Sequence, residues 1–236
     1  MLCKIAELIT EVPMAGGMAL RCRDYLYDGD ATADIVIRED AYDPEKHPGI
    51  FSADQLAYME SGRQFHSRLL EHNGLYLHAS AVVKDGKAFL FSGRSGAGKS
   101  THTSLWQQEL GEDVVVINDD KPALRCLDGV WYAYGTPWCG KDGINRNMKA
   151  PLAGICFLKQ AKHNQIRRLS AQEALQRLLG QTIWKVYEVK YLDLLMARMD
   201  ELITNIPVFE LENRPEAAAA QLSYTTMRRT AEEMGL

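Results

Sequence analysis

Leu75-Tyr-Leu-His-Ala-Ser-Ala-Val-Val-Lys-Asp-Gly-Lys-Ala-Phe-Leu-Phe-Ser-Gly-Arg-Ser-Gly-Ala-Gly-Lys99-Ser100 is the stretch that decides the fold. Its first part reads as two apolar strands joined by Lys84-Asp-Gly-Lys87. Asp85-Gly86 supplies the positive-φ pair that a tight hairpin needs. Its end, Gly93 to Ser100, matches G-x-x-x-x-G-K-[ST] in full. At average residue frequencies that string arises by chance in roughly one chain in a hundred of this length. The context is the one the chemistry requires, since a strand feeds the loop and a helix of about Lys99 to Leu110 leaves it. Glycines let backbone N–H groups close around phosphate oxygens, and the helix N-terminus adds a favourable dipole. Lys99 is expected to reach the β- and γ-phosphates and the Ser100 hydroxyl to bind Mg²⁺. Gly93, Arg94, Ser95, Gly96, Ala97, Gly98, Lys99, Ser100 and Thr101 are therefore the expected nucleotide contacts, with ATP and Mg²⁺ as ligands.

Working outward, Asp113-Val-Val-Val-Ile-Asn118 is a buried strand that ends in Asp119-Asp120. A Mg²⁺-coordinating Asp belongs at this place after a phosphate loop. Side chains alternate along a strand, so both carboxylates face the phosphates only if the chain turns there. One, Asp119, could then hold the metal while Asp120 accepts a proton, with neighbouring negative charge raising one of the two pKa values. The alternative is that only one is functional and the other caps a turn. His78 lies on the strand that pairs with the one feeding the loop. The register from Asp85-Gly86 sets it opposite about Gly93, near the phosphates, although a lone strand histidine is often only a core residue. His102 reads as a helix-face residue.

Gly135-Thr-Pro-Trp-Cys-Gly-Lys141-Asp-Gly-Ile-Asn-Arg146-Asn-Met-Lys149 is a glycine-rich basic loop. Lys141 and Arg146 are candidates to neutralise charge on a transferring phosphoryl group. Trp138 either stacks on a base or substrate, or is buried under an ordinary solvated loop. Elsewhere Ala19–Arg23 and Asp34–Arg38 look like strands, and Asp40–Gly49 like a loop. Ser52 starts a helix that Gly74 stops. Ala153–Leu158 and Val208–Leu211 read as strands. Ser170 opens a helix through Leu179 with a capping box, another helix covers about 190–203, and Pro215 sits near the start of a last one. The division expected is an N-terminal α+β region, 1–74, before a nucleotide-binding core, 75–236.

Composition narrows the classes. The chain has 236 residues, is 46% hydrophobic and carries a net charge of −4, so nothing favours nucleic acid as a partner. No apolar run has the length of a membrane span, and the N-terminus makes a poor signal peptide. The five cysteines form no C-x-x-C pair, which fits reduced thiols in a cytoplasmic protein. Self-association is left open.

With these residues in place, the chain resembles the HPr kinase/phosphorylase family and, more loosely, ATP-dependent phosphoenolpyruvate carboxykinases. The phosphate loop after a hairpin strand, His78 on the preceding strand and the Asp119-Asp120 pair carry the resemblance over about residues 75–160. It implies a mixed-sheet α/β phosphate-loop kinase core. It also implies Asp120 as catalytic base, Asp119 and Ser100 near Mg²⁺, and His78 paired with the acidic site. Thr101 stands where that family has Glu, and the Pro-Trp-Cys-Gly-Lys loop replaces its segment after the acidic pair. The chain looks most like the short HPr-kinase-related proteins found near peptide-modification clusters, some of which phosphorylate a peptide serine. The expected function is Mg²⁺-ATP-dependent transfer to a hydroxyl of a protein, peptide or small molecule. A nucleotide-binding regulator without transfer activity is the alternative. A carboxykinase-like lyase is a third reading, for which residues 1–74 are too short to supply the oxaloacetate-binding domain.

Overall fold

Asp85 and Gly86 take φ of +50° and +73°, and around them β5 (Ala79–Lys84) and β6 (Lys87–Ser92) form an antiparallel hairpin. Ala79 pairs with Ser92 and Lys84 with Lys87, which is the register the turn predicts. The computed structural model describes residues 1–39, 51–182 and 189–236. The loop expected over Asp40–Gly49 falls outside them.

The hairpin sits inside a curled, mixed sheet of an α/β fold. Among the described residues the order is β4 (Gly74–Tyr76), β8 (Ala123–Leu127), β9 (Val130–Tyr134), β10 (Lys149–Gln160), β6, β5 and β7 (Val115–Asn118). β12 (Val208–Asn213) pairs with β10, and β11 (Gln165–Arg168) with β12. β10 is the long member and has two sets of partners. Lys149–Pro151 pair antiparallel with β9, whereas its later residues run parallel to both β6 and β12.

The strands are apolar on both faces because both are covered. Val82, Phe89 and Phe91 pack with Trp106 of α3 (Lys99–Leu110) and Met227 of α6 (Ala217–Glu233). Ala81, Leu90 and Ile117 pack on the opposite side with Leu178 of α4 (Ala171–Leu179) and Met199 of α5 (Val189–Asn205). A small sheet of β1 (Leu2–Ile5), β2 (Leu8–Glu11) and β3 (Ile35–Val36) shares a third cluster with α2 (Ala53–Leu69), Tyr134 and Trp138. Ser52 caps α2 in a reciprocal capping box with Gln55. Among the described residues no helix is long and apolar enough to cross a membrane.

Three elements differ from the sequence reading. Ala19–Arg23 is not a strand. α1 (Met18–Arg21) and a short 3₁₀ turn, Arg23–Tyr25, occupy it. The buried residues there are Met18 and Cys22, four apart, while Leu20 is exposed, so the period is helical. The expected strand 75–83 is broken at Leu77–His78 into β4 and β5, which belong to different parts of the sheet. Gly74 opens β4, and it is Asn73, at φ +56°, that ends the preceding helical segment.

Candidate functional site

The phosphate loop leaves β6 at Ser92 and turns through Gly93, Gly96 and Gly98, at φ of +148°, +80° and +97°. A Cβ on Gly96 or Gly98 would meet nothing within 4 Å, so the left-handed backbone is what demands glycine, and open space lies over the loop. No side chain caps α3, whose N-cap is Gly98. Its first-turn N–H groups are therefore offered to whatever enters the cleft. Gln160 Nε2 braces the loop by donating to Gly96 O at 3.0 Å, and Lys99 Nζ donates to Gly93 O at 3.1 Å. Burial lowers the pKa of Lys99, with Asp120 opposing.

Asn118 makes the acidic pair a pair. It ends β7 fully buried, and its Oδ1 accepts from the backbone N–H of Asp120 at 3.0 Å and of Lys121 at 2.6 Å. This side-chain turn replaces the strand ladder and brings consecutive carboxylates to one cleft. The Asn118 Nδ2 donates to the carbonyls of Thr136 at 3.1 Å and Trp138 at 3.3 Å, which ties the turn to the glycine-rich loop.

The two carboxylates have opposite surroundings. Asp119 Oδ1 accepts from Gly140 N–H at 2.5 Å. A Cβ on Gly140 would stand 2.9 Å from Asp119 Oδ2, so only glycine lies this flat against the carboxylate. Burial raises the Asp119 pKa, and Asp120 adds to the rise against the Gly140 hydrogen bond. At Asp120 burial would also raise the pKa, but His78 and Lys121 outweigh it and hold the carboxyl well below the usual carboxylate range. The negative charge expected to raise a base's pKa thus acts with burial on Asp119, while Asp120 is held ionised. His78 Nε2 lies 3.1 Å from Asp120 Oδ1, and Lys121 Nζ 2.7 Å from Oδ2. The contact with Asp120 needs a proton on Nε2, and the Gln181 amide stands 3.1 Å from Nδ1 on the other side of the ring. The His78 N–H also donates to Gln181 O at 2.7 Å. Lys121 Nζ in turn donates to Tyr58 OH at 2.7 Å, and Tyr58 OH to Cys139 O at 2.8 Å.

A cleft of about 410 Å³ brings together His78, Lys99, Ser100, Asp119, Asp120 and Lys141. Ser95, Gly96, Gly98 and Thr101 complete the loop side of it. Gly93, Arg94 and Ala97 border a separate hollow against Leu158, Arg177 and Glu210. Arg146 is not brought to the cleft. Its backbone N–H is held by Ile117 O at 2.9 Å and the residue is exposed. Trp138 touches no ligand space, since it is fully buried, stacks on Phe65 at 4.7 Å and donates from Nε1 to Ser61 Oγ at 3.0 Å. Cys139 is buried, and burial raises its thiol pKa. His102 is also buried, with Nε2 3.0 Å from Ser223 Oγ.

Four residues around the cleft escape a reading of the sequence: Tyr58, Asn118, Lys121 and Gln181. Asn118 had a signal, because an Asn at the end of an apolar strand is a turn-former. Tyr58 and Gln181 had none, as they arrive from α2 and from beyond α4.

Among solved structures the HPr(Ser) kinase/phosphatase from Coxiella burnetii aligns with a TM-score of 0.38 and 12% identity, over 68% of this chain and 99% of that one. A likeness at that level carries no argument about this chain. No curated protein matches. A family model described as "SynChlorMet cassette protein ScmC" matches residues 55–214, from the first turn of α2 through β12. That span contains the phosphate loop, the acidic pair and all four residues that close around them, and the chain belongs to the SynChlorMet cassette protein ScmC family.

Proposed function

We propose that the protein is a Mg²⁺-ATP-dependent phosphotransferase of the HPr-kinase type that phosphorylates a hydroxyl, such as a serine, of a protein, peptide or small molecule. One observation carries the reading: Asp120, held as a carboxylate by His78 and Lys121, shares a cleft with Lys99, Ser100 and Asp119. The residues fit a triphosphate, since the glycine cradle has open space before it and α3 begins uncapped. Backbone N–H groups of Ser95, Gly96 and Gly98 to Thr101 would bind phosphate oxygens, and Lys99 would neutralise their charge. Ser100 and Asp119 would hold Mg²⁺, which favours the ionised form of Asp119 that burial opposes. Bound Mg²⁺-ATP supplies the transferable phosphoryl group. Lys141, on the wall facing the loop, would meet charge on that group.

Asp120 would align the acceptor hydroxyl and take its proton. Its low pKa is compatible with this role, because phosphoryl transfer passes through a loose transition state in which positioning and charge outweigh base strength. His78 would fix the carboxylate's direction. The test is a phosphorylation screen over peptides and small hydroxyl compounds with labelled ATP. We expect Asp120→Asn to reduce transfer about 10²- to 10⁴-fold while nucleotide binding persists. Transfer that survives the substitution would refute the base assignment.

A second reading, a nucleotide-binding regulator without transfer, is favoured by the engagement of both Asp120 oxygens, Oδ1 by His78 and Oδ2 by Lys121. Under it the protein binds ATP and labels no member of the screen.

A further inference from the structure

Helix α2 grips the glycine-rich loop at two positions one turn apart. Ser61 Oγ accepts from Trp138 Nε1 at 3.0 Å, and three residues earlier the Tyr58 hydroxyl donates to Cys139 O at 2.8 Å. The fit is close here, because a Cβ on Gly62 would stand 3.0 Å from the Trp138 ring. The register of α2 on the loop is therefore fixed, and with it the place of Tyr58 behind the acidic pair. Arg21 adds a brace from α1. Its guanidinium lies 4.8 Å from the centre of the Tyr58 ring, and its Nη1 donates to Cys139 Sγ at 3.1 Å.

One phenol oxygen thus meets two arms of the site. On the first arm it accepts from Lys121 Nζ at 2.7 Å, and the same Nζ lies 2.7 Å from Asp120 Oδ2. The ammonium also rests 4.4 Å from the centre of the Tyr58 ring. On the second arm the oxygen holds Cys139 O, and the next residue is Gly140, whose N–H grips Asp119 Oδ1. The hydroxyl has a single proton, and Cys139 O takes it. Asp120 Oδ2 stands farther off, at 3.5 Å, so Tyr58 reaches that carboxylate by way of Lys121. Asn118 fixes the backbone alone. Its amide binds the N–H groups of Asp120 and Lys121 and the carbonyls of Thr136 and Trp138, which leaves the carboxylate ends to their own torsions. Tyr58 and Lys121 stand outside the lining of the cleft, so both act from behind the acidic pair.

We propose that Tyr58 is a positioning residue that sets the aim of Asp119 and Asp120 relative to each other. It acts on Asp119 through Cys139 and Gly140, and on Asp120 through Lys121. Its effect on rate rests on the transferase reading given above. There one carboxylate holds the metal and the other the acceptor hydroxyl, and a misplacement of about 1 Å between such groups costs about 10²-fold. Tyr58 belongs to α2, so the region before the phosphate-loop core is part of the catalytic unit.

Two measurements on the full chain test this. The first is amide hydrogen exchange by NMR, without nucleotide. In Tyr58→Phe the Gly140 amide is expected to exchange about tenfold faster. The Arg146 amide, in the same loop but held by Ile117 O, is expected to keep its rate. A Gly140 amide that does not respond overturns the proposal, and so does an Arg146 amide that speeds up equally. The second measurement is transfer from labelled ATP to an acceptor found in the screen. Tyr58→Phe should lower kcat about tenfold with the KM for ATP held within about twofold. Lys121→Met should lower kcat as much and leave the Gly140 amide protected, and it carries the test if Tyr58→Phe does not fold. The double variant should lose no more than Lys121→Met alone. Losses that multiply in the double variant, or a raised KM with kcat unchanged, overturn the action through Lys121. Wild-type protein that labels no acceptor while Gly140 responds as expected removes the transferase reading and leaves the hold of Tyr58 on the carboxylates standing.

Discussion

Asp120 stays charged in a half-buried place because His78 and Lys121 face its two oxygens. The linkage has a definite sign. The folded pKa lies below the unfolded value of about 3.9, so the stabilisation is complete above that value and disappears as pH falls through the folded pKa. Asp120→Asn should therefore cost about 1–3 kcal/mol of unfolding free energy at pH 7, with the gap closing below about pH 4. Urea titrations at the two pH values measure it, and a gap that is independent of pH would contradict the pairing. Trp138 belongs at this scale too. As a fully buried ring on Phe65 it should cost about 3–5 kcal/mol when cut to alanine, read as a fall in the denaturant midpoint. The sequence marks Asp119, Asp120, Lys99 and His78 because each lies within or beside a local pattern of known chemistry. It leaves the depth of Trp138 undecided, because the partners Ser61 and Phe65 lie on another element about seventy residues earlier.

Among elements, those with local devices are the legible ones. The β5–β6 register follows from Asp85-Gly86, and the starts of α2 and α4 from the capping boxes at Ser52 and Ser170. Ser52→Ala should cost about 1 kcal/mol. Since α2 carries Tyr58 into the Lys121 contact, the loss should show in thermal unfolding and leave that contact in place. The β8–β9 pair was equally available. Asp128-Gly129, at φ +51° and +79°, repeats the device of Asp85-Gly86, but Arg125 interrupts the apolar pattern. That guanidinium is buried because Ala6 O and His72 O accept from it at 2.7 and 2.9 Å, and these partners are distant in sequence. α1 is not legible because four residues are too few to separate a period of two from one of 3.6.

For the whole molecule, acid sensitivity follows from histidines buried as neutral rings. His66 packs among Phe65, Tyr76 and Trp138, and burial, with the Lys121 charge adding to it, lowers its pKa to about 3. Below the unfolded value of about 6.5 the unfolded chain takes up a proton that the fold refuses, so stability falls by about 1.4 kcal/mol per pH unit until about pH 3. His102, lowered to about 4 by burial, acts in the same direction. His66→Phe should remove one of these slopes, for a relative gain of about 2 kcal/mol at pH 5 against pH 8. Calorimetric unfolding at the two pH values checks it, and parallel losses in wild type and variant would contradict it.

β10 has a mechanical consequence. One wall of the acidic cleft hangs from β6 and the other from β9, and both strands are laced to β10, at Leu152–Phe157 and at Lys149–Pro151. β10 therefore joins the two walls directly, beside the link that Asn118 makes to the Thr136 and Trp138 carbonyls. The lacing of β10 to β6 shifts register between Leu152 and Gly154, which makes that point the place to look for a change in the width of the cleft.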